Sequence, residues 1–269
     1  EGLSLMIEGV LELSDGRKLG YASYGSVDAP PVVYCHGFPT DRLEFRLIQP
    51  VLERRGVEAR VVVFDRPGYG RSSFQPKSTL LDWPADVAAA ADLLELERFV
   101  VVGVSGGGPY ALACGHSLPD RVRRIGLVVG VAPREATGME QAASIDGPSA
   151  NRLLRRIQFA MSAYAFKKGQ EDRFVEQVVA SMSGADRQVL NRSDVRQWFI
   201  DVTREALVQG GGAAALEAGL YRRSWGFDPA QIKTETHLWY GGKDETGPAS
   251  AGRWLADRMP NAAITIWPE

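Results

Sequence analysis

Short apolar runs alternate with longer segments of mixed polarity over the first half of the chain. Almost every position in these runs is apolar, which is typical of strands that are covered on both faces. The segments between them have the length and composition of helices. Four runs predict strands: Val32–Cys35, Ala59–Phe64, Phe99–Val102 and Ile125–Val131. The pattern therefore predicts an α/β fold with a mostly parallel central sheet and helices on both faces.

Strands and helices are also predicted around these four runs. Leu3–Leu13 and Lys18–Tyr24 flank an Asp-Gly pair, which predicts a β-hairpin. Asp41 is a plausible N-cap for a helix that reaches Arg55, with Gly56 as its end. Four further elements complete the core: the helices Leu80–Leu96 and Ala249–Met259 and the strands Thr236–Tyr240 and Ala263–Trp267.

The segment from Arg134 to Trp225 has a different pattern. It contains no strand-like run, and its apolar residues recur at helical spacing. The predicted amphipathic helices are Leu153–Phe166, Arg173–Met182 and Val195–Val208, and residues 210–212 break the pattern with three glycines. We therefore predict a core of residues 1–133 and 227–269, and a helical cap of residues 134–226 lying over the site.

Composition and charge narrow the class of protein. The 269 residues are 45% hydrophobic and carry a net charge of −2, so nothing favours nucleic acid or an anionic membrane as a partner. No apolar run is long enough to span a bilayer, and no signal peptide is visible. Cys35 and Cys114 lie in apolar segments, which predicts two buried free thiols and a cytoplasmic protein. No metal-ligand cluster is visible, and we expect no metal and no cofactor.

The chemistry centres on Ser105, which glycines frame in a G-x-S-x-G pattern at Gly103 and Gly107. An apolar strand precedes this serine and a helix of small residues follows it. This context predicts a nucleophile elbow, a sharp turn with a strained serine at its apex and small neighbours. The alternative is a dinucleotide-binding loop. The glycines do not give G-x-G-x-x-G, and the region about twenty residues on offers arginines in place of a ribose-binding carboxylate.

Four motifs follow predicted strands in a fixed order. They are H-G-F-P at His36–Pro39, D-R-P-G-Y-G-R-S at Asp65–Ser72, G-V-S-G-G at Gly103–Gly107 and G-G-K-D at Gly241–Asp244. With these motifs, nearly the whole chain resembles the α/β-hydrolase fold superfamily. In open α/β sheets the ligand crevice lies at the carboxyl ends of the strands, where all four motifs fall.

The resemblance implies a role for several residues. Ser105 is the expected nucleophile, and Asp244 is the acid expected to orient the base. The backbone N–H groups of Phe38 and Gly106 are expected to form the oxyanion hole. H-G-F-P can also be read as a tight turn alone. Asp65 and Arg66 are expected to hold a loop near the site and not to take part in the chemistry.

The catalytic base is where the sequence departs from the family. The order in this fold is serine, acid, histidine, and no histidine follows Asp244. His36 is expected to be structural, His116 to point away from the site, and His237 to occupy an alternating or buried position in a strand. The chain stops at Glu269, near where the family's histidine follows the last strand. We expect a fragment that lacks this histidine, and the alternative is a non-catalytic member.

The resemblance makes a serine hydrolase the first functional hypothesis, cleaving a carboxylic ester or related acyl bond of a small molecule through an acyl-serine. Cofactor-free perhydrolases and C–C bond hydrolases use the same triad and stay open. A ligand-binding protein on the same scaffold is the hypothesis from another class. Haloalkane dehalogenases and epoxide hydrolases are disfavoured because they carry aspartate in place of Ser105. Aromatic residues of the predicted cap would line the acyl pocket or fill the cap core: Phe159, Tyr164, Phe166, Trp198, Phe199 and Tyr221.

Overall fold

The structure is a computed structural model, and it describes residues 6–136, 151–182, 184–244 and 247–268. The strands are β1 (Met6–Glu12), β2 (Lys18–Tyr24), β3 (Pro31–Cys35), β4 (Arg60–Phe64), β5 (Phe99–Val104), β6 (Val122–Val128), β7 (Thr236–Gly241) and β8 (Ala262–Trp267). The helices are α1 (Gln49–Arg54), α2 (Trp83–Leu93), α3 (Gly108–Ser117), α4 (Arg152–Lys167), α5 (Glu171–Ser181), α6 (Gly184–Leu190), α7 (Ser193–Ala206), α8 (Gly212–Leu220) and α9 (Ala249–Arg258).

All eight strands lie in one sheet, in the order β1-β2-β4-β3-β5-β6-β7-β8. β1 and β2 pair antiparallel, as the predicted hairpin requires, and Gly16 in its turn has a φ of 81°. β2 also runs antiparallel to β4, whereas β3 to β8 are parallel throughout. The predicted α/β fold with a mostly parallel sheet is confirmed.

The core lies where the apolar runs meet. Val33, Val62 and Val101 are fully buried on the three central strands, and small residues of α2 and α3 pack against them. Both cysteines are buried free thiols, as predicted: Cys35 at the end of β3 and Cys114 on α3. The continuous apolar runs therefore correspond to strands that are covered on both faces.

The predicted helix from Asp41 to Arg55 is wrong in its first half. A short 3-10 turn covers Glu44–Leu47, and α1 begins only at Gln49, with Pro50 in its first turn. Proline fits the first helical turn because its missing N–H has no acceptor there. The Asp41 carboxylate is buried, and its Oδ1 accepts from the N–H of Leu43, so it closes a turn in place of capping a helix.

The bounds of two other predicted elements are shifted. Leu80–Asp82 forms a 3-10 turn, and α2 begins at Trp83 with Pro84 in its first turn, again at a proline. β6 starts earlier than the predicted Ile125 because Val122 already pairs with Phe99 of β5. It ends before Val129, which has a φ of 46° and leaves the extended conformation.

Helices α4 to α8, residues 151–221, lie between β6 and β7, and we call them the helical insertion. Within its described residues the insertion contains no strand, as predicted. α4, α5 and α7 match the predicted amphipathic helices to within two residues, and α6 was not predicted. Gly210 and Gly211 lie between α7 and α8, and Gly212 begins α8. Its own apolar core includes Phe159, Phe166, Val175 and Ala214. Residues 137–150 of the predicted 134–226 segment fall outside the described residues.

Candidate active site

Ser105 lies at the apex of a sharp turn between β5 and α3. Its φ is 50°, in the left-handed region that a non-glycine residue adopts rarely and at a cost. A Cβ on Gly107 would lie 2.0 Å from the carbonyl oxygen of Cys35, and one on Gly103 would lie 2.6 Å from the carbonyl oxygen of Gly107. The backbones are therefore too close for any side chain at either glycine. The predicted strand, strained turn and helix are confirmed as geometry.

Phe38 and Gly106, the two residues predicted for the oxyanion hole, lie side by side. A Cβ on Gly106 would lie 2.7 Å from the Cβ of Phe38. Phe38 follows β3 and Gly106 follows β5, and these strands are parallel neighbours in the sheet. The fold therefore brings both residues to the carboxyl edge, beside Ser105.

Ser105, Phe38 and Asp244 all line one cavity of about 430 Å³. Asp244 follows β7, and its Oδ1 accepts a hydrogen bond of 2.8 Å from the N–H of Gly247. The opposite wall comes from the helical insertion: Met182, Val189, Leu190, Val195, Trp198 and Phe199. Two of the six aromatic residues considered for the pocket are thus in its wall. Phe159, Phe166 and Tyr221 are buried elsewhere, and Tyr164 is exposed.

None of the three histidines lines this cavity. His36 is fully buried beneath the Phe38 loop, where its Nδ1 donates to the carbonyl oxygen of Gly37 and its Nε2 accepts from the N–H of Arg66. Burial and the Arg66 charge hold the pKa of His36 well below its ordinary value, so the ring is neutral. It is the structural histidine that the sequence predicts.

The other two histidines make contacts away from Ser105. His116, near the end of α3, approaches Gln231 at 3.2 Å and packs on the Phe227 ring. His237 stacks on Trp239 and lies 2.9 Å from the hydroxyl oxygen of Thr265 on β8. No histidine of the chain is thus positioned to take a proton from Ser105.

Glu44 is a buried carboxylate in the cavity wall that the sequence did not single out. Its Oε2 accepts from the N–H of Gly37 at 2.8 Å and from the hydroxyl of Thr40, and its Oε1 accepts from the hydroxyl of Tyr34 at 2.7 Å. Burial raises the pKa of Glu44 above its ordinary value. The indole of Trp198 donates to its backbone carbonyl, which links α7 to this loop. Glu44 thus holds the segment that carries Phe38.

Arg66 connects the Phe38 loop to the helical insertion. Its guanidinium donates to the carbonyl oxygens of His36 and Gly37, and its Nη2 lies 2.7 Å from Oε1 of Glu217 on α8. Both side chains are almost completely buried. The hydroxyl of Tyr221 lies close to Oε1 of Glu217 and 3.0 Å from the carbonyl oxygen of Gly106. One buried ion pair therefore ties three segments around the site together.

Asp65 holds the neighbouring loop, in agreement with its expected structural role. Its carboxylate accepts from the backbone N–H groups of Arg42 and Arg71 and from the Arg42 guanidinium. Arg42 also pairs with Glu8 of β1 and with Glu205 of α7. Burial raises the pKa of Asp65, while the Arg42 charge beside it opposes that rise.

The described part of the chain shows neither a metal site nor a membrane-spanning helix. No three His, Cys, Asp or Glu side chains in residues 6–136, 151–182, 184–244 and 247–268 form a cluster suited to a metal ion. Among the helices of those same ranges, none combines the length and the hydropathy needed to cross a bilayer.

The sheet, the Ser105 turn and the residues at the carboxyl edge define the class of protein. The chain belongs to the alpha/beta hydrolase fold family, which it matches over residues 30–263.

The individual proteins that the chain resembles carry the names of several different activities. It is 35% identical over 127 residues to a non-heme chloroperoxidase of Streptomyces lividans, across 46% of this chain and 45% of that protein. It is 28% identical over 257 residues to a pimeloyl-[acyl-carrier protein] methyl ester esterase of Chromobacterium violaceum, across 89% of this chain and 86% of the esterase. Bromoperoxidase from Bacillus anthracis shares the fold, with a TM-score of 0.72 at 19% identity, over 97% of this chain and 91% of the bromoperoxidase. The chain spans less than half the length of several curated relatives that it matches.

Proposed function

We propose that the protein is a serine hydrolase that cleaves carboxylic esters or related acyl bonds of small molecules. The observation that carries the proposal is the position of Ser105, at a positive-φ apex and in the lining of one cavity with Asp244 and Phe38. The methyl ester esterase of Chromobacterium violaceum, which aligns over most of the chain, supports an ester as the substrate class.

In the proposed reaction, Ser105 Oγ attacks the acyl carbonyl carbon as its proton passes to a histidine base. The carbonyl oxygen becomes an oxyanion and accepts from the backbone N–H groups of Phe38 and Gly106. The ester C–O bond breaks, the leaving alkoxide takes the proton from the base, and an acyl-serine remains. Water then gives a proton to the base and attacks the acyl-serine. The acyl C–Oγ bond breaks, Ser105 Oγ takes the proton back from the base, and the carboxylic acid is released.

Asp244 has the role of orienting this base and stabilising its cation. The three histidines of the 269 residues contact groups away from Ser105. We therefore propose that the base is a histidine other than these three, as the family resemblance predicts. A test of activity accordingly uses the full-length protein.

The helical insertion is proposed to act as the cap that selects the acyl group. Its residues in the cavity wall are almost all apolar, and they lie opposite Ser105 in the lining. A pocket of about 430 Å³ is in the range that suits a small or medium acyl chain. Esters with apolar acyl groups of this size are the expected substrates.

The decisive experiment uses purified full-length protein with a fluorophosphonate probe and p-nitrophenyl acetate. The wild type should label at one serine and hydrolyse the ester, and Ser105→Ala should lose labelling and activity, the latter by on the order of 10⁴-fold. Ser117→Ala removes an exposed serine at the far end of α3 and should change neither. Asp244→Asn should lower kcat strongly, whereas Asp257→Asn, at an exposed position of α9, should not.

Hydrolysis by Ser105→Ala at the wild-type rate would refute the assignment of the nucleophile. A full-length wild type that neither labels nor hydrolyses any ester of a varied panel would support the ligand-binding alternative instead.

A perhydrolase is the second candidate, and similarity to the chloroperoxidase of Streptomyces lividans supports it. In that reaction hydrogen peroxide takes the place of water at the acyl-serine, so the product is a peracid. Adding peroxide and acetate to the full-length enzyme and measuring peracid formation separates the two candidates. Ester hydrolysis without peracid favours the esterase.

A further inference from the structure

A second cavity, of about 500 Å³, lies against α8 of the helical insertion. Its walls come from α4, from α8 and from the loop around residues 74–81 of the core. None of the described residues lines both this cavity and the one that contains Ser105 and Asp244. A ligand in this second cavity would therefore be bound apart from the reacting serine.

The described lining of this cavity carries positive charge and no carboxylate. Five basic side chains contribute to it: Lys77, Arg152, Arg155, Arg156 and Arg223. None of the five forms an ion pair with another side chain of the described residues. We call this cavity the basic pocket. Cations gathered without a counter-charge repel one another, and an anion between them relieves that repulsion.

Arg155 gives the strongest indication that the basic pocket binds an anion. Arg42, Arg66 and Arg155 are the three buried arginines of the described residues. Arg42 pairs with Asp65 and Glu8, and Arg66 pairs with Glu217.

Arg155 is also buried, at 5% exposure, although less deeply than the other two, and its only hydrogen bond found within the described residues runs from Nε to the backbone carbonyl of Ala215. Burial and the charges of Arg222, Arg223 and Arg152 lower its pKa. A buried guanidinium normally has an anionic partner, because its desolvation is costly.

Apart from the hydroxyl side chains of Ser78, Thr79 and Ser224, the rest of the described lining of the basic pocket is apolar. Its described wall includes Phe74, Leu80, Leu81, Leu216, Leu220 and Trp225. A bare inorganic ion would leave these side chains without a contact. The lining therefore suits a ligand with a charged end and an apolar or aromatic body, and the volume is in the range of such molecules.

We propose that the basic pocket binds a small organic phosphate, with the phosphate among Arg152, Arg155, Arg156 and Arg223 and the apolar part against Leu216, Leu220 and Trp225. Guanidinium groups match phosphate oxygens two at a time, and these charge-assisted hydrogen bonds are stronger than neutral ones. The bound phosphate would supply the counter-charge that the described residues around Arg155 do not.

The test is isothermal titration of the full-length protein with 1-naphthyl phosphate, inorganic phosphate and 1-naphthol. The aromatic phosphate should bind more tightly than either of the other two, because only it offers both the charge and the ring. The double variant Arg152→Glu/Arg156→Glu should weaken its binding by at least about tenfold, because each lost charge-assisted hydrogen bond is worth more than 1 kcal/mol. Both residues are exposed, so the fold should tolerate the change.

Arg123→Glu, at an exposed position of β6, is the matched control and should leave the affinity nearly unchanged. Arg155→Gln tests the buried arginine itself, with its thermal midpoint measured alongside, and should also weaken binding. Equal binding by wild type and double variant would overturn the proposal, as would 1-naphthol binding as tightly as its phosphate.

Vesicles containing phosphatidylglycerol distinguish a soluble ligand from a lipid surface. The outer face of α4 exposes apolar side chains, among them Leu153 and Met161, so a membrane is the competing source of phosphate. Co-sedimentation with these vesicles in the absence of 1-naphthyl phosphate binding would overturn the proposal of a small ligand. Because all these measurements report binding, their outcome is independent of whether Ser105 is a nucleophile.

Discussion

The ion pairs of the core loops differ from those on the surface of the helical insertion. Around the Phe38 loop, Arg42 and Arg66 are about 1% exposed and each contacts several partners. On the insertion surface, Arg192 and Arg196 pair with carboxylates that are mostly exposed to solvent. A buried pair cannot lose one member without leaving a charge in the interior, whereas water replaces a lost partner at the surface.

This difference shows where the protein fixes its geometry. The buried pairs hold the loops that carry Phe38 and that contact Gly106, where a displacement would change the site. The Arg196 pairs join α7 to α5, and both helices also contribute to the same apolar core. The Arg192 pair stays within the start of α7. The buried ion pairs thus position the loops near Ser105, whereas the surface ion pairs contribute little to the structure of the helical insertion.

The largest effect is expected for Arg66→Met. The substitution leaves Glu217 buried without its cation and should lower the free energy of unfolding by about 3–5 kcal/mol. The measurement is urea unfolding followed by circular dichroism. The double variant Arg66→Met/Glu217→Leu should recover much of this loss, because it removes the buried charge as well. A single variant that loses less than about 1 kcal/mol would show that the pair behaves like a surface one.

A smaller, pH-dependent effect is expected for Glu44→Gln. Burial raises the pKa of Glu44, so the folded protein holds a proton that the unfolded chain releases. The stability that Glu44 contributes is then complete below its ordinary pKa and is lost as the pH rises through the raised value. The advantage of the wild type over Glu44→Gln should therefore shrink as the pH rises above the ordinary pKa of a glutamate, about 4.3.

Urea unfolding of both proteins at pH values below and above this ordinary pKa checks the prediction for Glu44. Glu58→Gln, at an exposed position, is the control for the effect of the substitution itself. An advantage that grows with pH would mean that the hydrogen bonds from Gly37, Thr40 and Tyr34 outweigh burial.

The smallest effect is expected for Arg196→Gln. Its partners Asp172 and Glu176 are mostly exposed, so the loss should be about 0.2–1 kcal/mol and should fall further in high salt. Thermal unfolding in low and high salt measures both. If Arg196→Gln lowered the free energy of unfolding by more than about 2 kcal/mol, the surface ion pairs would not differ from the buried ones.

The sheet and the Ser105 turn were predictable because their signals are local. A strand buried on both faces is apolar at every position, and the glycines around Ser105 reflect backbone approaches that exclude a Cβ. The meeting of Phe38, Gly106 and Asp244 at one edge follows from their positions after parallel strands. Their catalytic roles stay predictions until the variants are measured.

The parts that the sequence did not predict depend on distant partners. Arg66 and Glu217 lie 151 positions apart, and neither has a local pattern that marks it as a partner. Glu44 occupies a segment that resembles a helix, and only its contacts with Tyr34 and Gly37 turn it inward. α6 is short and its residues are mostly exposed, so it lacks the apolar face that would have indicated a helix.

The reactivity of the two buried cysteines can be used to measure local unfolding of the protein. Burial raises the pKa of Cys35 to about 11 and that of Cys114 well above its ordinary value, so almost no reactive thiolate exists in the native state. Cys35 also lies directly beneath Gly107, in the strand end that supports the Ser105 turn. The rate at which a thiol reagent modifies Cys35 therefore measures how often this part of the core opens, without any label being introduced.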